Sequence, residues 1–201
     1  DNWKSLVSFG ASASVSLAKT GKGDVAEVVE TLNAVTTLAK GDMKRAEAVL
    51  CTLLPLILTQ AGNKQKPCRE AAVVACNAIV DGMGSNCVRE VIHYCFGAMD
   101  IKQNFQSRVL ALNVISKFGD TAADQLGTAL PEVVPEVTPC MTDVKKDVAN
   151  AAIAAMSASC DVIGNRDIEH MTSNILRSIT HPKEVPEIMH ALAGVTFVQS
   201  V

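Results

Sequence analysis

Three residues suited to metal binding, Cys87, His93 and Cys95, lie within one short segment of the sequence. A structural zinc site needs four ligands, usually supplied as two closely spaced pairs. No second pair accompanies this segment, and its cysteines lie among apolar residues at helical spacing, where cysteine behaves as a small hydrophobic residue. We therefore expect core packing at these positions, with no metal ligands and no cofactor bound to this chain.

The segment Thr20-Gly21-Lys22-Gly23-Asp24 has the composition of a nucleotide-binding phosphate loop. Such a loop requires the order G-x-x-x-x-G-K-[ST] between a strand and a helix, and this segment lacks both the spacing and the hydroxyl after the lysine. His170, His181 and His190 have no nearby nucleophile or acid that suggests a triad. We expect a polar turn here, no catalytic residue, no ATPase site and no small-molecule substrate, so the chain is not predicted to be an enzyme.

Lysines are concentrated in short polar segments that recur along the chain. If these segments are turns stacked along one edge of a helical array, their lysines form a row that can bind successive phosphates of folded RNA. A solvated edge without a partner is the alternative, because Asp24, Asp100, Asp143, Asp147 and Glu184 cancel part of the charge. Lys19 and Lys22 belong to the same series. The candidate ribosome or RNA contacts are Lys64, Lys66, Lys102, Lys145, Lys146 and Lys183.

The elements that carry these turns are predicted to be helices throughout. Hydrophobic residues make up 48% of the chain and aromatic residues only 3%, which favours closely packed helices over a β-sandwich. Apolar residues recur at helical spacing, as in Leu126, Leu130, Val133 and Val137. No segment alternates with the period of two that marks a strand. The sequence therefore predicts an all-α protein.

The helices are expected to form pairs that repeat about every 40 residues, which is typical of a HEAT-type α-solenoid. A single helix pair cannot bury its apolar face alone, so neighbouring pairs must stack. We expect one array over residues 1–201 with pairs at about 3–40, 44–83, 87–119, 124–164 and 167–201. The helix Glu187–Val198 carries apolar residues up to the last positions, which favours a natural protein that continues beyond them.

Glycines mark the breaks between pairs, where a left-handed residue commonly closes a helix: Gly41, Gly82, Gly119 and Gly164. Polar residues that follow the first turn and these breaks are expected to cap the next helix: Asp24, Asn86 and Asp167.

Three cations, Arg69, Arg108 and Lys146, are expected at matching positions early in the second helix of three pairs. A cation at such a position can bond carbonyls or acids of the adjacent pair. Arg69 and Arg108 are therefore candidate ties between repeats, with contact to a partner as the alternative.

The net charge of −3 provides no global basic field, so contact with a nucleic acid would depend on a local patch. The seven cysteines form an odd set without a CxxC pair, which indicates a reducing compartment and predicts a cytoplasmic protein. The most apolar run, Val49 to Leu58, is about half the length of a membrane-spanning helix. We expect no membrane contact.

Four segments resemble the N-terminal HEAT region of the translation elongation factor 3 family: AGNKQK (61–66), TDVKKDVANAAIAAM (142–156), NRDIE (165–169) and PKEVPEIMHALAGVTFV (182–198). The resemblance implies a ribosome-associated ATPase of eukaryotic translation whose two ABC cassettes follow the HEAT region and bind ATP and Mg²⁺. It further implies an arm that contacts the ribosome, chiefly the rRNA and proteins of the small subunit. The whole factor would promote release of deacylated tRNA from the exit site during elongation.

A second family shares this HEAT region, namely the large ribosome-bound activator of the kinase that phosphorylates initiation factor 2. That scaffold, or another adaptor solenoid that binds only proteins, is the alternative function. Residues beyond Val201 would separate the two, because a Walker motif supports the elongation factor and continued HEAT repeats support the scaffold.

Overall fold

The computed structural model of the chain describes residues 2–162, which fold into α-helices joined by short turns and three 3-10 helices. No strand occurs among these residues, and the predicted all-α class is confirmed. The α-helices are α1 (Asn2–Leu17), α2 (Val25–Gln60), α3 (Lys66–Gly82), α4 (Val88–Met99), α5 (Phe105–Thr121), α6 (Ala123–Val137) and α7 (Lys146–Asp161). The 3-10 helices are Lys22–Asp24, Ser85–Cys87 and Thr138–Thr142.

Helix α2 is interrupted at Asp42, whose φ of −146° and ψ of 51° depart from helical geometry. The described helices therefore form four consecutive pairs: α1 with the first half of α2, the second half of α2 with α3, α4 with α5, and α6 with α7. Successive pairs also touch, since α4 packs on α6 and α5 packs on α7. This is the HEAT-repeat arrangement, and we number the pairs as repeats 1 to 4. The fifth predicted pair, 167–201, lies outside the described residues.

One hydrophobic core runs through all four repeats. Its largest fully buried side chains come from both helices of the pairs, among them Leu17, Leu54, Ile92 and Phe118. Burial of a side chain of this size stabilises the fold by about 1.5–3 kcal/mol. The stacked pairs thus supply each other with the apolar contacts that a single pair lacks.

The breaks between repeats are not closed by left-handed glycines. No glycine in residues 2–162 has a positive φ, so the prediction is wrong for Gly41, Gly82 and Gly119, while Gly164 lies outside the described residues. The chain instead leaves the helix through a residue that is neither helical nor extended, Asp42 at one break and Ala122 (φ −150°, ψ 49°) at another. Neither conformation requires glycine, because both φ values are negative.

The predicted caps also differ. Asp24 occupies the N-cap position of α2, but its side chain accepts no capping hydrogen bond, and Asn86 lies inside a 3-10 helix. The side-chain cap in the described chain is Asn104, whose Oδ1 accepts a hydrogen bond from the Gln106 amide at 3.0 Å and so starts α5. Asp167 lies outside the described residues.

Within residues 2–162 no single helix is both long and apolar enough to cross a membrane, although α3 together with the segment Ser85–Met99, bent by 118°, passes the same test of length and hydropathy.

Candidate nucleic-acid interface

The turns inside the four repeats, which join the first helix of each pair to the second, consist of residues 18–24, 61–65, 100–104 and 138–145. We call this series the turn edge. Five of the six candidate lysines lie in these turns or at the first residue of the helix that follows. The contacts between successive turns decide whether these lysines share a surface.

Turn 2 is joined to turn 1 by Gln60, a fully buried residue at the end of α2. Its Nε2 donates to the carbonyl oxygens of Leu17 and Lys19 at 2.7 and 2.8 Å, and its Oε1 accepts from Asn63 at 2.6 Å. A buried amide without these partners would cost about 1–3 kcal/mol. Its bonds therefore hold the two turns at a fixed spacing.

Turn 3 approaches turn 2 at Gly62. A Cβ added to Gly62 would lie 2.6 Å from both the Asn104 Cβ and the Ser107 Oγ, which is closer than real Cβ atoms approach. Glycine is required at this position for close contact between the turns, because any larger residue would push the start of α5 away.

Turn 4 is joined to repeat 3 by an ion pair between Arg108 of α5 and Asp143. The Nη2–Oδ2 distance is 2.6 Å, and both side chains are less than 10% exposed. Arg108 also donates from Nε to the Met99 carbonyl oxygen at 3.0 Å. The Lys145 amide and the Arg108 guanidinium hold the pKa of Asp143 below its ordinary value, the amide hydrogen bond having the larger effect. The Lys145 Nζ lies 5.7 Å from the centre of the Phe105 ring, which adds a second contact between these turns.

Three of the turns contain the same local hydrogen bond. A side-chain oxygen of Asn63, Asp100 or Asp143 accepts from the backbone amide two residues later, at 2.9, 2.7 and 2.7 Å. These are Asx turns, which fix the backbone without a helix or strand. In two of them the donor residue is a candidate lysine, so the motif sets the position of Lys102 and Lys145.

The candidate lysines of the described turns are all exposed: Lys64, Lys66, Lys102, Lys145 and Lys146. Lys66 lies 3.5 Å from Glu70 on the surface of α3, a pair too exposed to contribute much. Lys64, Lys102, Lys145 and Lys146 form no ion pair with another residue in 2–162. Lys183 lies outside the described residues.

The two candidate tie residues behave differently. Arg108 joins repeat 3 to repeat 4, whereas Arg69 donates from Nη1 to the carbonyl oxygens of Asn63 and Lys64, both at 2.9 Å. Arg69 thus clamps its own turn and is not the tie between repeats that the sequence suggested. Lys146 does not match their position either, since it is the first residue of α7 and the two arginines are the fourth residues of α3 and α5.

The residues considered for metal binding lie in different surroundings. Cys95 is fully buried, and burial raises the pKa of its thiol well above the ordinary value. His93 is half exposed, and its ring nitrogens lie 3.0 Å from Glu132 and 2.8 Å from the Arg89 carbonyl oxygen. No group of three potential metal ligands occurs in the described part of the chain.

Comparison with known proteins identifies the family of this chain. The family model described as EF3 N-terminal HEAT repeat matches residues 2–156. The chain belongs to this family. The matched range contains all of the turn edge and every described candidate lysine of this EF3 N-terminal HEAT chain.

Individual relatives agree with the family match. The chain is 34% identical to Elongation factor 3 of Zygosaccharomyces rouxii over 92% of its length and 34% identical to Elongation factor 3 of Phytophthora infestans, also over 92%. It is 33% identical to Elongation factor 3A of Saccharomyces cerevisiae over 77% of its length. The chain spans less than a fifth of these relatives, 18%, 18% and 15% respectively.

Sequence reasoning missed the residues that hold the turns together. Gln60 and Gly62 are recognised only from contacts with distant parts of the chain. The Asx turns do have a local signal in the sequence, which is an Asn or Asp two positions before the donor residue.

Proposed function

We propose that this chain is the ribosome-docking arm of an elongation-factor-3-type protein and that its turn edge binds rRNA of the small subunit. The observation that carries the proposal is the contact of four successive turns, each of which presents an exposed lysine in the turn or at the first residue of the helix that follows. A row of lysines on a rigid edge suits the phosphate backbone of folded RNA, because backbone contacts dominate its affinity.

The acidic residues of the turn edge do not neutralise all of its lysines to the same extent. Both Asp143 oxygens are engaged inside the protein, Oδ1 by the Lys145 amide and Oδ2 by Arg108. Lys145 and Lys146 beside it are exposed. An incoming phosphate therefore meets two exposed lysines beside an aspartate that is already paired, with the exposed Asp147 as the remaining acid next to them. The engagement of Asp143 makes turn 4 the strongest candidate contact.

The functions of the whole factor are part of the same proposal and rest on family membership. We infer that the full-length protein binds ATP and Mg²⁺ in cassettes outside this chain, acts in the cytoplasm, and promotes release of deacylated tRNA from the exit site. Small-subunit proteins are further partners of the arm. No ATP-hydrolysing function is proposed for the HEAT repeats themselves.

A scaffold that binds only proteins is the second candidate, and exposed apolar side chains favour it. Val73 and Val74 of α3 are 38% and 50% exposed, and Phe105 at the start of α5 is 36% exposed. Such a surface suits a protein partner. The arm of the initiation factor 2 kinase activator is one such scaffold, but membership in the elongation factor 3 family supports the first candidate.

Reversal of charge at turn 4 separates the two candidates. If Lys145 and Lys146 each contact one phosphate, the double variant K145E/K146E loses affinity for small subunits. The slope of log K against log salt then decreases in magnitude by roughly 1.4 to 1.8, at 0.7 to 0.9 per contact. Binding is measured by co-sedimentation across a salt titration.

The matched control is K40E/K44E, which has the same change of charge. These lysines are exposed and flank the break at Asp42, about 25 Å of helix away from turn 1. The control should bind like the parent chain. Equal behaviour of both double variants would exclude turn 4 as a contact, and loss of binding on Val74→Ser instead would favour the protein-only scaffold.

A further inference from the structure

A cleft of about 300 Å³ lies where the first three turns meet. Turn 1 contributes Thr20, turn 2 contributes the segment from Gly62 to Lys64, and repeat 3 contributes the start of α5. The complete lining is Thr20, Thr59, Gly62, Asn63, Lys64, Gln103, Asn104 and Ser107. It includes one cation and several amides and hydroxyls but no carboxylate.

Ser107 at the cleft is a buried polar residue without a partner. It is 2% exposed, and its Oγ faces Gly62, as the 2.6 Å distance to a Cβ added there shows. The Oγ forms no hydrogen bond with any other residue of the described chain, whereas the buried Ser159 donates to the Ala155 carbonyl oxygen at 2.8 Å. A buried hydroxyl normally has a partner, and one without a partner requires an explanation.

The start of α5 provides further donors beside this hydroxyl. Helix α5 has 17 residues, so the partial positive charge of its N-terminus is fully developed. The Asn104 Oδ1 accepts a hydrogen bond from the Gln106 amide, and the Phe105 and Ser107 amides of the first turn have no acceptor within the helix. Lys64 adds a full positive charge from the opposite turn. All of these groups favour an anion.

We propose that this cleft binds one phosphate group of an RNA backbone through the Ser107 hydroxyl, the N-terminus of α5 and Lys64. The RNA identity rests on the function proposed above, whereas the preference for a phosphate follows from the cleft itself. The phosphate supplies the acceptor that Ser107 lacks, since each of its oxygens accepts hydrogen bonds. The bound strand would cross the turn edge between turns 2 and 3.

The test uses the whole chain with two probes, inorganic phosphate and a single-stranded RNA oligonucleotide, followed through the backbone amide signals of Gly62, Lys64 and Ser107. Ser107→Ala should weaken binding of phosphate about tenfold, because a hydrogen bond to a charged group is lost. Ser159→Ala is the matched control, as it also removes a buried hydroxyl, and it should leave binding unchanged. Lys64→Ala should weaken RNA binding and lower its salt slope by about one contact.

Each outcome decides the proposal. The proposal is supported if phosphate and RNA shift the amide signals of the cleft, and if these shifts weaken in Ser107→Ala but persist in Ser159→Ala. The proposal is overturned if the amide signals of the cleft do not shift, or if both serine variants bind phosphate equally. This holds even where small subunits still bind through Lys145 and Lys146. If the cleft binds phosphate but neither RNA nor small subunits, the RNA assignment and the proposed function both fail, and an anion site alone remains.

Discussion

Replacement of Arg108 by methionine should destabilise the chain by about 3 kcal/mol. Removal of one partner from a buried ion pair costs about 3–5 kcal/mol, and removal from an exposed pair costs less than about 1 kcal/mol. Arg108 and Asp143 are 8% and 9% exposed, with an Nη2–Oδ2 distance of 2.6 Å. The pair is therefore buried, but it lies at a turn that can admit water, which places the cost at the low end of the range. Methionine keeps most of the apolar stem, so lost packing adds little.

The measurement is urea denaturation at pH 7 together with a double-mutant cycle on Asp143→Ala. The cycle isolates the coupling between the two side chains, which we expect to be about 2 kcal/mol. Arg69→Met is the matched control. Its hydrogen bonds stay within one half-exposed turn, so its expected cost is about 1 kcal/mol.

The loss should also be local, because Arg108 joins repeat 3 to repeat 4. Amide hydrogen exchange should accelerate in α7 and change less in α3, as expected for stacked repeats that stabilise their neighbours. A coupling below about 0.5 kcal/mol, or equal acceleration in both helices, would refute the assignment of Arg108 as the tie between these repeats.

The same pair predicts a dependence on pH. The folded-state pKa of Asp143 is lowered, so its contribution to stability is fully present above the ordinary aspartate pKa of about 3.9. This contribution is lost as the pH falls through the lower folded-state value. The stability difference between the parent chain and Asp143→Asn should therefore be constant from pH 7 to about pH 5 and shrink at lower pH. A difference that stayed constant down to pH 2 would mean that the carboxylate charge plays no part.

Two further predictions concern single positions, and a third concerns the whole chain. Gly62→Ala should destabilise the chain by about 1–3 kcal/mol because its Cβ would clash with Asn104 and Ser107, whereas Gly97→Ala, which has open space around it, should be neutral or stabilising. Thermal denaturation measures both. Ser107→Ala should raise stability by about 1 kcal/mol in the absence of phosphate, since it removes an unpaired buried hydroxyl; a loss above 1 kcal/mol would reveal a hidden partner. Purified chain should hydrolyse no ATP with or without ribosomes, and turnover that persists through purification would contradict the proposed docking role.

The helical class was predictable because it depends on local patterns. A stripe such as Leu126, Val133 and Val137 has the spacing of one helix face, and all three residues are buried. The prediction that glycines close the helices was wrong, because the end of a helix depends on packing as well as on the local sequence. Asp42 and Ala122 show that a packed array can end a helix through an ordinary residue at negative φ, because neighbouring helices fix the direction of the chain.

The residues that make the turn edge continuous were harder to find. Gln60 contacts carbonyl groups more than 40 positions earlier in the chain, and nothing in the neighbouring sequence indicates these partners. Ser107 has no local signal either, because a serine early in a helix is common and only its burial beside Gly62 marks it. Such roles depend on the spacing between repeats, which a sequence pattern specifies only approximately.

Arg69 and Arg108 show how the next turn determines the role of a residue. Both are the fourth residue of the second helix in their repeat, so their local sequence positions are equivalent. The residue that each arginine could meet in the next repeat lies three positions before the second helix of that repeat. For Arg69 this residue is Lys102, and for Arg108 it is Asp143. An arginine cannot form an ion pair with a lysine, and Arg69 bonds to its own turn. Arg108 instead pairs with the aspartate and joins two repeats. The same difference leaves Lys102 exposed and without an ion pair among the described residues, so it can join Lys64, Lys145 and Lys146 on the proposed RNA-binding edge.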